Sequence, residues 1–551
     1  MNHYPNADLL EVNGNGDDEY ASKVEIALIK RSMIQLAAKR EDESRSYENP
    51  LYGYAKQHFA LQDKRPLSFI CFNVRRAPLR LEKRLCWEKE TLQTPLLPLS
   101  KEHTRIALQA FRNISGFMGN RTSGKDKFDH SDKLLRNIMP RSDNVKDEIF
   151  CQICKQINGN PNQEAKLSGW LLLHICIATF TPSASLYPFL ERLLYSNIGS
   201  KHVEVSQRAT AALNALHNSS GKADRKELPT RLEIESLQQL SSMEILVSLI
   251  DGTTVQMAIY SWTTCAELNS MVADHLGIVR KEYFALYETS TQLERLVEAD
   301  ERIVDVVSLW DRLSFGIADK KPQDKDDKVT LLYRTYLFVA LDNESDEEID
   351  LYYAQAAHDI LASTYVCSLE NCIKLAAYQL HCNVSRSADQ HLEHILIRDI
   401  QLYMPPNMIS IANTKSIVLQ ILRIHESIQN WSIQQVKLAY LSTCEKLQLY
   451  GSTFFNLTNT RIRRFPVNLV LAVHSSGLTL VSAENEAIVA SFFYEEIVSW
   501  GYSLNAFVLV FSIDKADAHD TEYAFRTNMG RAINNLVQAY VHFRLEQESS
   551  Q

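Results

Sequence analysis

Residues 145 to 194 constrain this chain more than any other stretch: VKDEIFCQICKQINGNPNQEAKLSGWLLLHICIATFTPSASLYPFLERLL. Val145, Ile149, Ile153 and Ile157 recur at i, i+4, i+8 and i+12, which is one face of a helix. Ser142 or Asp143 can cap its start, and Asp147 and Glu148 sit where a helix N-terminus favours negative charge. Leu167 to Phe180 is apolar nearly all round, which predicts a fully buried helix, and Pro182 stops it. The segment therefore predicts two or three buried helices.

The same string resembles the core of the myosin tail homology 4 domain. The family's recurring phrases stand here as Asp147-Glu148, Ile149-Phe150, Cys151-Gln152, Lys155-Gln156, Asn160-Pro161, Gly169-Trp170 and Pro182-Ser183. Pro50 to Phe59 resembles the short lead-in to this domain in unconventional myosins, and Phe117-Met-Gly119 is a further phrase typical of it. None of these residues is catalytic in that family.

The bulk numbers fit such a reading. A chain of 551 residues holds roughly three to five compact units. Its 45% hydrophobic residues let each unit bury a core. The net charge of −9 argues against whole-protein attraction to nucleic acid, so any anion-binding surface must be local. Ten cysteines are scattered without the dense pairing of a small secreted domain, which predicts a reducing, cytosolic setting. The first residues lack a basic-then-apolar signal pattern, and no run reaches about 18 apolar residues, so no membrane span is expected.

Along the chain, residues 1–46 read as an N-terminal extension. Its polar start to Asp18 is expected to be disordered, and Glu19 to Arg40 to be helical. The helical tail domain is expected over 47–240. At Met243 the pattern changes to two alternating strands around Asp251-Gly252, a hairpin signal. A helix over Ala266 to Leu276 and a strand over Tyr283 to Glu288 complete a ubiquitin-like unit at 242–318. Lys320 to Lys328 reads as a charged linker. Helical periodicity then dominates 328–446, starting from Tyr352, Ala356 and Ile360. Strands return over 447–546, ending in a helix with Met529, Ala532, Ile533, Leu536, Tyr540 and Phe543 on one face. Strands followed by one amphipathic helix resemble the pleckstrin-homology-like plan, which implies a seven-strand antiparallel sandwich closed by that helix.

Ubiquitin-like, helical and pleckstrin-homology-like lobes in this order resemble the three-lobed FERM module. Leu351-Tyr-Tyr-Ala-Gln-Ala, Tyr403-Met-Pro-Pro and Leu449-Tyr-Gly-Ser-Thr-Phe-Phe455 carry the resemblance. The fold class is thus multidomain: an all-α tail domain followed by an α+β FERM module. Thr230 to Ser242 is a short, helix-capable connection, so the two are expected to form one supermodule.

Several motifs invite chemistry and resolve to simpler readings. Gly119 to Lys125 fits a glycine-rich phosphate loop, but Asp126 replaces the magnesium-binding hydroxyl and the preceding residues are helical, with Ala107, Phe111, Ile114 and Met118 on one face. It is read as a surface loop. Cys151 and Cys154 form a CxxC without a second ligand pair at suitable spacing, so no metal, cofactor or catalytic site is expected. Asp342 to Asp350 is read as a solvated acidic loop that favours the following helix start.

Two surface sites are candidates. Arg461, Arg463 and Arg464 lie in the turn between the first two strands of the last lobe and could face anionic lipid headgroups. The strand carrying Ile497, Val498, Ser499, Trp500 and Tyr502 should border a groove with the helix carrying Ala532 and Leu536. A free edge there could take a peptide as an added strand. Proline at Ser499 is expected to remove one edge donor. The resemblance implies a non-catalytic, cargo-binding tail of an actin-based motor of the filopodial and stereociliary type, in the cytoplasm, on the cytoskeleton and enriched in actin-based projections. Implied partners are cytoplasmic tails of adhesion receptors, scaffold proteins and microtubules, with peripheral contact to anionic membrane and no nucleic acid. A motorless adaptor with the same domain pair and a kinesin tail remain alternatives.

Overall fold

The structure is a computed structural model that describes residues 49–60, 81–290, 294–316, 329–339, 344–384, 392–409, 413–459, 462–511 and 522–550. The N-terminal extension 1–46, the linker 320–328 and Arg461 lie outside the described residues. The chain forms two compact units that divide between Ser242 and Met243.

The first unit is helical. Its described elements include α1 (Tyr52–His58), α2 (Lys101–Phe117), α3 (Lys127–Ile138), α4 (Asp143–Ile157), α5 (Gln163–Thr179), α6 (Tyr187–Ile198), α7 (Val203–Ser219) and α8 (Arg231–Gln239). Helix α5 is the hydrophobic centre. Trp170, Leu172, Leu173, Ile175, Cys176 and Ile177 are all buried, and each large side chain so removed from water contributes about 1.5–3 kcal/mol. Asn162 caps its start by accepting from the Ala165 N–H, and Phe180, already extended, ends it before Pro182 is reached.

Helix α4 is buried as expected, and on its polar side as well as its apolar one. Every residue from Val145 to Ile157 is buried, including Lys146, Asp147, Glu148, Gln152, Lys155 and Gln156. Periodicity finds the apolar face but not the polar one, because the polar face is covered by chain from elsewhere in this unit. The Glu148 carboxylate accepts from the backbone N–H groups of Leu96 (2.9 Å) and Leu97 (2.7 Å). Asp147 accepts from the Ser183 N–H and hydroxyl and from the Tyr54 hydroxyl. Lys155 donates to the Cys86 carbonyl at 2.6 Å. These buried charges are tolerated because each has partners. Asp147 and Glu148 thus act as clamps on distant segments rather than as charges at a helix end. Helix α8 is latched to this unit by a buried Arg225–Glu233 pair at 2.6 Å and ends at Leu240, whose backbone is left-handed.

The second unit holds three lobes. The first has a five-stranded sheet with order β2-β1-β5-β3-β4, made of β1 (Met243–Leu249), β2 (Thr254–Ile259), β3 (Phe284–Thr289), β4 (Glu294–Leu296) and β5 (Thr330–Thr335). Helix α9 (Cys265–Leu276) packs on it through Leu268 and Val272, and α10 (Ile303–Gly316) follows. Strand β5 pairs parallel with β1 and antiparallel with β3, at the centre of the sheet. This corrects the expected boundaries of 318 and 328: the ubiquitin-like lobe takes its central strand from beyond the charged linker, out of residues expected in the helical lobe. The sequence signal is weak because six residues, TLLYRT, stand alone after a charged run.

The second lobe is helical, with α11 (Asp346–Leu361), α12 (Leu369–Asn383), α13 (Leu392–Asp399), α14 (Thr414–Ser427) and α15 (Ile433–Cys444). Ser345 and Glu348 form a capping box at its start. Glu348 is buried and also accepts from the backbone N–H groups of Val279 and Arg280, while Glu344 pairs with Arg280 at 2.9 Å. The described part of the acidic run is therefore a tie to the first lobe, not only a solvated loop.

The third lobe is a seven-stranded antiparallel sheet with order β10-β11-β12-β6-β7-β8-β9. Its strands are β6 (Thr453–Asn459), β7 (Asn468–His474), β8 (Gly477–Ser482), β9 (Ile488–Phe493), β10 (Ile497–Ser503), β11 (Ala506–Phe511) and β12 (Glu522–Arg526). Helix α16 (Gly530–Ser550) closes it, with Ile533, Leu536, Val537 and Tyr540 in the core.

Candidate peptide-binding edge and basic loop

Strand β10 pairs with β11 and stands at one end of the sheet order. Ser503 and Ala506 face each other across the two-residue turn Leu504-Asn505 and form its closing hydrogen-bonded pair. Antiparallel pairs alternate, so Gly501–Val508 and Ser499–Val510 are the next hydrogen-bonded pairs. The backbone N–H groups of Trp500 and Tyr502 then point away from β11. Ser499 points its N–H inward, so proline at Ser499 would break the sheet's own ladder; the edge donors belong to Trp500 and Tyr502.

The side chains divide in a similar way. Ile497 is buried and Trp500 is half-buried against the core, whereas Val498 (64% exposed) and Tyr502 (49% exposed) face solvent. A register irregularity between Ile497 and Ser499 sets Val498 apart from the ladder. Helix α16 packs along β10 and begins on the β10–β11 turn. A Cβ on Gly530 would come within 2.9 Å of the Ala506 carbonyl oxygen and 3.0 Å of the Tyr502 Cβ, so only glycine lets the helix start this close. Ala532 is half-buried on the helix. Leu536 is 2% exposed and belongs to the lobe's own core, so it does not line a groove. Sequence periodicity puts Leu536 on the apolar stripe correctly but cannot tell core-facing from groove-facing positions of that stripe.

The basic turn between β6 and β7 divides as well. Arg464 donates to the Tyr523 hydroxyl, and its guanidinium lies 5.2 Å from the Phe465 ring centre and 5.4 Å from that of Tyr523. It is a structural cation–π contact. Arg463 is exposed.

The motifs set aside in the sequence take structural places. The Gly119 to Lys125 loop joins α2 to α3, and Asp126 is the N-cap of α3, accepting from the Asp129 N–H at 2.7 Å. A helix precedes the loop, not the strand a phosphate loop requires. Cys151 and Cys154 are buried in α4. Burial pushes both thiols up, Cys154 to about 12, which disfavours the thiolate form. Among the described residues, no group of three or more His, Cys, Asp and Glu side chains could hold a metal ion, and no helix is long and apolar enough to cross a membrane.

Comparison with known families follows the same divisions. The MyTH4 domain family matches residues 133–236, the RA-like domain 241–337, the FERM central domain 340–455 and the PTB domain of IRS-1 type 455–545. The chain is a MyTH4 domain followed by a FERM module. Both are protein-interaction modules rather than catalytic families. Kinesin-like protein KIN-14I of Oryza sativa subsp. japonica is 22% identical over 85% of this chain and 38% of its own length. Unconventional myosin-XV of Homo sapiens is 24% identical over 81% of this chain and 13% of its own length. This MyTH4-FERM chain thus spans less than half the length of each of these two relatives. The human Myosin 7b C-terminal MyTH4-FERM domain, solved in complex with the harmonin-a PDZ3 domain, has the same fold, with a TM-score of 0.66, 18% identity and coverage of 91% of this chain and 98% of that one.

Proposed function

We propose that this MyTH4-FERM chain is the cargo-binding part of a cytoskeletal motor or adaptor, carries out no reaction, and takes an extended peptide as an added strand on β10. The peptide would come from the cytoplasmic tail of an adhesion receptor or from a scaffold protein. The observation that carries this reading is the one-sided pairing of β10, which leaves the Trp500 and Tyr502 backbone groups facing away from β11 beside exposed Val498 and Tyr502. Backbone pairing supplies affinity, and alternate side-chain pockets supply selectivity. The PTB match over 455–545 and a neighbouring fold bound to a PDZ scaffold domain support it. Relatives named as myosins and as kinesins both fit a tail role at the cytoskeleton, with microtubule contact and enrichment in actin-based projections as the finer possibilities to test.

An array of cytoplasmic-tail peptides, probed with the whole chain, tests it. Tyr502→Pro should abolish binding that Tyr502→Ala only weakens, because proline alone removes the edge donor. Circular dichroism should be unchanged in both. Equal binding by the two variants, at parental level, overturns the β10 assignment.

A further inference from the structure

In the first unit, α2 and α3 leave a pocket of about 190 Å³ between them. Arg105, Gln109 and Asn113 line it from α2 at i, i+4 and i+8, along one face of that helix. Asn137 lines it from α3, and Ile106 and Leu134 supply apolar wall. Arg105 and Gln109 are exposed at the rim, whereas Asn113 (5% exposed) and Leu134 (1% exposed) lie at the floor. A buried amide normally has hydrogen-bond partners. Asn137, Asn197 and Asn218, also in helices of this unit, each donate to the carbonyl four residues back at 2.8 Å. The Asn113 side chain makes neither that bond nor any other among the described residues, and it lines the pocket instead. Arg105 has no ion pair among the described residues, because the neighbouring Glu102 carboxylate is engaged by Arg141 at 3.7 Å. None of the residues lining the pocket is acidic.

We propose that this pocket anchors an acidic peptide. A glutamate or aspartate carboxylate of the peptide pairs with the Arg105 guanidinium at the rim. An adjacent apolar side chain lies on Ile106 and Leu134, and a neighbouring peptide group exchanges hydrogen bonds with the Asn113 amide at the floor. A guanidinium holds a carboxylate through two parallel hydrogen bonds, and a primary amide both donates and accepts, as a peptide group does. Pockets for whole small molecules usually measure about 300–1,000 Å³. This one is smaller and open at Arg105, which suits one or two residues of a longer chain. One cation among three neutral amides matches a single negative charge better than a phosphate, which carries about −1.5 to −2 and is usually met by clustered arginines. The site lies in the MyTH4 domain and is separate from the β10 edge.

The test probes the whole chain with an array of end-blocked hexapeptides, each holding one glutamate and one leucine at varied spacing, beside counterparts with glutamine in place of glutamate. The best glutamate peptide should bind about tenfold or more tighter than its counterpart, as a charge-assisted hydrogen-bond pair implies. Arg105→Ala should erase that difference. Asn113→Leu, similar in size and free of an unpartnered amide, should keep or raise the melting temperature and lose binding. Gln109→Ala, at the exposed rim, leaves the core untouched and should weaken binding several-fold. Tyr502→Pro should bind these peptides as the parent does, which keeps this site apart from β10. Equal binding by parent, Arg105→Ala and Gln109→Ala overturns the proposal. So does displacement of the peptide by an equal concentration of inorganic phosphate, which would make the pocket a general anion site, and so does a lowered melting temperature of Asn113→Leu, which would show that the amide serves the fold.

Discussion

The Tyr540 hydroxyl accepts a hydrogen bond from the Phe338 backbone N–H at 3.0 Å. Tyr540 lies on the last helix of the FERM module, and Phe338 lies on the chain leaving its first sheet. The same point is crowded from the second junction, where a Cβ on Gly451 would stand 2.7 Å from the Phe338 Cβ and where φ is +72°. One residue therefore locks the chain between lobes one and two to the start and end of lobe three. Tyr540→Phe leaves that N–H without its acceptor and should destabilise the module by about 1–2 kcal/mol. Hydrogen exchange over Tyr336 to Val339 should accelerate correspondingly; unchanged exchange would show that the bond contributes nothing.

Glu148 is the clamp of the MyTH4 domain. Glu148→Ala strands the N–H groups of Leu96 and Leu97 together with the Gln152 amide, which donates to the same carboxylate at 2.8 Å. The cost should be at least about 3 kcal/mol in denaturant unfolding.

Burial pushes the Glu148 carboxyl up to about 7, against an ordinary value of 4.5. The folded chain then holds a proton that the unfolded chain has released, so this group's contribution is full below pH 4.5 and is lost as pH rises through about 7. Glu148→Gln should flatten that part of the stability–pH curve, and an identical slope in parent and variant would contradict it.

His174 pulls the other way. It is buried in α5, neither ring nitrogen has a hydrogen-bond partner among the described residues, and burial lowers it to about 4. Its neutral form stabilises the fold above pH 6.5, and that contribution is lost as pH falls toward 4. At pH 5, the cost should reach about 2 kcal/mol. His174→Leu should abolish this acid sensitivity, read as the hydrogen exchange of α5 between pH 7 and 5. Because Glu148 and His174 oppose each other in the overlapping window, each must be compared with its own variant.

At an anionic vesicle surface, Arg463 and Arg464 should behave differently. Arg463→Ala should weaken sedimentation with phosphatidylserine vesicles by about 1 kcal/mol, and the loss should shrink as salt rises. Arg464→Ala should instead loosen Tyr523 and lower thermal stability. Equal vesicle binding by the parent and Arg463→Ala would remove this loop as a lipid contact.

The order of lobes was legible because hydrophobic pattern and phrase length agree: a period of 3.6 through α4, apolar residues all round α5, a period of 2 through β1 and β2, and 2 again through β7 to β11. Strand β5 was not, since a short isolated strand gains its place only from pairing with β1 and β3. Nor was the burial of Glu148 or Lys155, whose partners at Leu96, Leu97 and Cys86 are more than fifty residues away in sequence. At the candidate site, the residues of β10 were readable, but the direction of each N–H depends on the register set by the Leu504-Asn505 turn. Leu536 illustrates the same limit, because one apolar stripe serves the core alone.

The most direct test of strand addition is residue-resolved amide exchange across β10 in the whole chain, with and without a saturating peptide from the array. The account predicts that Trp500 and Tyr502, whose N–H groups face away from β11, become protected. Ser499 and Gly501, already bonded within the sheet, should change little. Protection at another surface, with Trp500 and Tyr502 exchanging as fast as in the free protein, would contradict it.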